Sequence, residues 1–107
     1  MKISYIHGIC VKNDAISNSI RDEVTWLGNE RGNEIILYTY RCDHDELPCI
    51  IVSDLKDIAF DPHFQTSELV IFHFGVYYPL FNLLPVVPQK AHTLVIFHNI
   101  TPKQFLP

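Results

Sequence analysis

The chain has 107 residues, enough for one domain around a single hydrophobic core. A hydrophobic content of 48% excludes a disordered chain. Eight basic residues against twelve acidic ones, a net charge of −4 with no basic stripe, exclude nucleic acid as the expected partner.

Met1 and Lys2 lead into Ile3-Ser4-Tyr5-Ile6, a short buried strand that stops at His7-Gly8. No signal peptide is expected, because this start lacks both a long apolar stretch and a small-residue cleavage site. Asp14 suits a helix N-cap, since its carboxylate can accept an orphan backbone N–H. Ile16, Ile20, Val24 and Leu27 then recur at helical spacing and form one apolar stripe. Ser17, Asn18, Arg21, Asp22 and Glu23 fall to the wetter faces, and Gly32 is the expected stop. Residues 34–40 are β-branched and aromatic and predict a second strand. Residues 41–46 read as a solvated acidic loop that includes His44. Residues 49–52 read as a short third strand, and residues 54–61 hold a helical turn that breaks at Pro62.

Residues 69–72 are a fourth strand. Pro79 opens a helix to about Leu84, which Pro85 and Pro88 end. Residues 94–97 are the fifth strand. Thr101-Pro102 announces a further helix, and the chain stops at Pro107 before it completes two turns, so a fragment of a longer protein is expected. Near-continuous apolar strands alternating with helices predict an α/β fold. That fold is a Rossmann-like, mainly parallel, doubly wound sheet with helices on both faces. The apolar stretch 80–87 is too short to span a bilayer but is compatible with peripheral membrane contact. Cys10, Cys42 and Cys49 match no zinc spacing and read as reduced thiols of a cytoplasmic protein.

Three strands run into a histidine: His7, His73 and His98. In open parallel sheets ligands bind beyond the carboxyl ends of the strands, where strand order reverses, so these imidazoles are expected on one rim. An imidazole there can exchange protons near neutral pH. Each has a plain alternative: His7 can hold a loop, His73 can cap a strand end, and a three-histidine metal site is conceivable. His98, followed by Asn99 and a helix start, is the strongest candidate for chemistry. His63 and His92 fall in connecting segments and read as surface residues. Gly8 lets a phosphate or sugar approach the backbone closely. The dinucleotide, Walker and nucleophile-elbow glycine patterns are absent, which argues against an ordinary nicotinamide enzyme, a P-loop ATPase and an α/β-hydrolase.

The run Glu-Leu-Val-Ile-Phe-His-Phe-Gly at 68–75 resembles the histidine-ending fourth strand of family 4 (group 1) glycosyltransferases. The run Leu-Val-Ile-Phe-His-Asn-Ile-Thr-Pro at 94–102 resembles their next strand, and 31–35 is similar to their helix-ending turn. The resemblance implies the N-terminal, acceptor-side half of a two-domain GT-B enzyme. Such an enzyme moves a sugar from a nucleotide-sugar donor to a hydroxyl of a sugar, glycan or glycolipid acceptor, with retention. It implies no metal and no resident cofactor, the donor being a substrate held mainly by the other half. It places His98 by the reacting sugar as the catalytic residue. It places His73, Asn99 and Gly75 at the acceptor, and Gly8 near the donor diphosphate. Only one glycine stands in the first loop, and Asn99 stands where Asp is common. An amide cannot act as a base, so Asn99 would position His98 or a sugar hydroxyl. The alternative class is a small stand-alone α/β binding or regulatory domain.

Overall fold

The computed structural model of the chain describes residues 1–10, 15–30, 32–44, 46–74 and 79–97. Strand β1 is Lys2–Ile6 and the short β2 is Ile9–Cys10. Helix α1 is Ala15–Gly28, followed by β3 (Glu34–Thr39), β4 (Arg41–Cys42) and β5 (Cys49–Ile51). Two single-turn helices, α2 (Lys56–Ala59) and α3 (Pro62–Gln65), precede β6 (Leu69–Phe74). A 3₁₀ segment, Pro79–Val86, then leads to β7 (His92–Phe97).

Five strands form one sheet in the order β5-β3-β1-β6-β7. Each neighbouring pair is parallel, with Tyr5 beside Leu37 on β3 and beside Ile71 on β6. Strands β2 and β4 make a second parallel pair past the ends of β1 and β3, with Ile9 beside Arg41. The fold is thus α/β with an all-parallel five-stranded sheet, and its order is compatible with a Rossmann-like domain.

Because side chains alternate across a strand, the sheet feeds two cores. Ile3, Tyr5, Ile35, Leu37 and Ile71 pack with Ile16, Ile20 and Val24 of α1. Ile6, Tyr38, Val70 and Phe72 pack with Ile58 of α2, Phe64 of α3, and Leu80 and Leu83 of the 3₁₀ segment. Full burial of such a side chain is worth about 1.5–3 kcal/mol each, so both faces hold the sheet. Among the described residues no helix is long and apolar enough to cross a membrane.

Several local expectations change. Ser17, assigned to a wet face, is fully buried, because a helix laid on a sheet buries a broader face than a single stripe. Helix α1 ends at Gly28 rather than Gly32. The amide of Asn33 donates to the Leu27 carbonyl at 3.0 Å and satisfies the helix end, while Gly32, at φ 89°, makes the turn into β3. Pro62 does not break the chain but opens α3, where its missing N–H costs nothing. Pro85 lies inside the 3₁₀ segment instead of ending a helix. Its ring forbids an α-helical bond at that point, and the chain winds more tightly through it. His44 is 4% exposed, so its side chain turns inward while Arg41 and Glu46 stay exposed, and Arg41–Cys42 adds a strand there. His63 lies on α3, half-buried, and its Nε2 donates to the Ile3 carbonyl at 2.9 Å. His92 is exposed but opens β7 rather than lying in a connection.

Candidate functional site at the reversal of strand order

From β1 the sheet is built outward through β3 to β5. The chain then crosses back to lay β6 on the other side of β1 and β7 beyond it. The reversal therefore falls between β1 and β6, the place where open parallel sheets hold ligands. His7 directly follows β1, and His73 is the penultimate residue of β6. Parallel pairing in register brings the two together: their rings lie 6.4 Å apart, edge to face, at 76°.

The two histidines are tied by a hydrogen bond. His7 Nδ1–H donates to the His73 carbonyl at 3.1 Å, which fixes the His7 tautomer with its proton on Nδ1. The His73 ring stacks on Tyr5 with centroids 5.9 Å apart and planes 17° from parallel. His73 Nε2–H donates to Glu23 Oε2 of α1 at 2.8 Å. Glu23 also accepts from the Tyr5 hydroxyl. Burial, followed by the charge of Glu23 and that hydrogen bond, pushes the Tyr5 phenol well above its ordinary range. One carboxylate thus gathers a phenol and an imidazole.

Burial sets what this cluster can do. Tyr5, His7 and His73 are 1%, 3% and 0% exposed, while the side chain of Glu23 is 38% exposed. Glu23 is the member of the four that meets solvent, and the rings behind it are held by packing. The arrangement can fix imidazole orientation and hold a carboxylate of set direction at the carboxyl edge of the sheet.

Gly8 follows His7 on the same rim and is buried. Its carbonyl accepts from the Tyr40 N–H at 2.8 Å and from the Thr39 hydroxyl at 2.9 Å, so the first loop is anchored to β3 at its start. His98, Asn99 and Gly75, and the N-cap expected at Asp14, lie outside the described residues. No group of three or more histidine, cysteine or acidic side chains among the described residues is arranged to hold a metal ion. A cleft of about 420 Å³ opens elsewhere, between the end of α1 and residues 46–48, and Glu46 is its one ionisable lining residue among those described.

Sequence reasoning passed over Glu23 and Tyr5. The signal for Glu23 was present: it lies seven residues after Ile16, three after Ile20 and four before Leu27, and so on the stripe that faces the sheet. A carboxylate on an apolar stripe requires a partner, and the partners come from β1 and β6. Tyr5 carried no such signal, because a tyrosine within a buried strand is ordinary core until its hydroxyl meets an acceptor. No protein-family model, curated protein or solved structure matches the chain.

Proposed function

We propose that the chain is the N-terminal, acceptor-side domain of a retaining GT-B glycosyltransferase of family 4 (group 1), built on a doubly wound Rossmann-like sheet. The observation that carries this reading is the meeting of His7 and His73 at the strand-order reversal of an all-parallel sheet. The resemblance of the 68–75 and 94–102 runs to that family supports it. In this reading His98 is the catalytic residue beside the transferred sugar. His73, Asn99 and Gly75 shape the acceptor pocket, His73 acting through the exposed carboxylate of Glu23. Gly8 lies by the donor diphosphate. The donor is a nucleotide sugar bound mainly by a second domain, and the acceptor is a sugar, glycan or glycolipid. Transfer takes place in the cytoplasm, with peripheral contact at the inner face of a membrane where the acceptor is a lipid. No metal is required, because helix ends and side chains stabilise the leaving diphosphate.

Catalysis of this kind needs groups from both walls of a closed cleft, so these 107 residues alone are expected not to transfer sugar. The test is a screen of the intact two-domain protein against nucleotide-sugar donors and glycan or glycolipid acceptors, with His98→Ala beside it. Transfer by the parent and a loss on the order of 10²-fold or more in the variant are expected. Equal turnover in the variant, or silence of the parent across the panel, sinks the reading.

The complete enclosure of His73 favours a second reading, a small α/β binding or regulatory domain without catalysis. Under that reading the parent binds a ligand, detectable by calorimetry, without consuming any donor.

A further inference from the structure

The sulfurs of Cys42 and Cys49 lie 2.6 Å apart. That is far inside the ~3.5–4.0 Å at which non-bonded heavy atoms settle. It is close to the ~2.05 Å of a covalent sulfur–sulfur bond. Cys42 ends β4 and Cys49 opens β5, and both pack against the core beneath α1 while remaining partly exposed. Two sulfurs at this separation, on residues that are both partly exposed, meet the distance requirement for a bond between them. A shared metal ion fits less well, because no third ligand joins them among the described residues.

We propose that Cys42 and Cys49 are a disulfide-forming pair, oxidised by low-molecular-weight disulfides, and that the bond clasps the loop between β4 and β5. The thiolate of one cysteine attacks a sulfur of oxidised glutathione, forming a mixed disulfide and releasing one glutathione thiolate. The second cysteine's thiolate attacks the protein sulfur of that mixed disulfide and expels the other glutathione thiolate. The protein loses two electrons and two protons, and one molecule of oxidised glutathione becomes two of the reduced form.

The clasp has a structural consequence. It closes a ring around residues 43–48, which include the buried His44 and Leu47. Leu47 and Pro48 wall the cleft against α1, and the Pro48 carbonyl accepts from the Leu37 N–H at 3.0 Å. Oxidation therefore fixes one wall of that cleft relative to β3. Cys10 is the natural competitor, since its backbone is the register partner of Cys42 in the β2–β4 pair.

The test treats the folded chain with oxidised glutathione, alkylates the remaining thiols, and then cleaves the denatured protein after Glu46, which separates Cys42 from Cys49. The expected result is a mass loss of two hydrogens, loss of alkylation at both cysteines, and two peptides that stay joined until reduced. Cys10→Ala should leave this unchanged, while Cys42→Ser and Cys49→Ser should each abolish it. Full alkylation of both cysteines, a stable glutathione adduct on either, or a bond from Cys42 to Cys10 overturns the proposal.

Discussion

Glu23 reaches from the middle of α1 to the carboxyl end of β6, where its Oε2 sits 2.8 Å from Nε2 of His73. The contact joins residues fifty positions apart and locks the helix to the strand-order reversal. It also sets the direction of a partly exposed carboxylate at the edge of the sheet.

Removing that carboxylate takes an acceptor away from two buried donors, the His73 imidazole and the Tyr5 hydroxyl. Glu23→Ala is expected to lower the unfolding free energy by about 1–3 kcal/mol, and Glu23→Gln by less, because an amide oxygen still accepts one bond. Urea unfolding reads this as a lower midpoint at unchanged slope. An alanine variant as stable as the parent would mean that the cluster contributes nothing to the fold.

Basic pH should destabilise the chain through its buried tyrosines. Burial first, then Glu23, raises Tyr5; burial first, then the hydrogen bond to Asp61 and its charge, raises Tyr38. In the unfolded chain these phenols ionise around their ordinary value of 10.0, while the folded chain keeps them protonated. Above that pH the native state binds more protons, so the stability these groups contribute is complete below it and falls as pH rises past it. Urea midpoints taken from about pH 9 to about pH 11 should drop, and Tyr5→Phe should flatten the drop. A midpoint constant across that window contradicts the burial of both hydroxyls.

Gly32 holds φ at 89°, with open space where a Cβ would stand. A side chain there meets no neighbour, so the cost of substitution is conformational alone. Gly32→Ala should cost about 1–2 kcal/mol, and Gly32→Asn less, because asparagine tolerates the left-handed region. Thermal melts of the two variants check the order; alanine equal to glycine would show that the turn into β3 adopts another conformation.

The five main strands could be read from runs such as Leu-Val-Ile-Phe-His, and their parallel pairing from the helices and turns between them. The stripe Ile16, Ile20, Val24 placed α1 correctly on the sheet. Local readings failed where a residue's role depends on a distant partner. Pro62 looked like a break until the end of α2 brought Asp61 into the N-cap position. His44 looked solvated, yet its side chain is buried between the exposed Arg41 and Glu46. Glu23 looked like a surface carboxylate until β1 and β6 supplied Tyr5 and His73.

By itself, the order of residues determined an α/β chain of parallel strands with histidines at their ends, because hydrophobic period and turn chemistry are local properties. Only tertiary structure decided that His7 and His73 meet, that Tyr5 and Glu23 join them, and that Cys42 touches Cys49. Those contacts depend on strand order and register, which are settled when both faces of the sheet are buried at once.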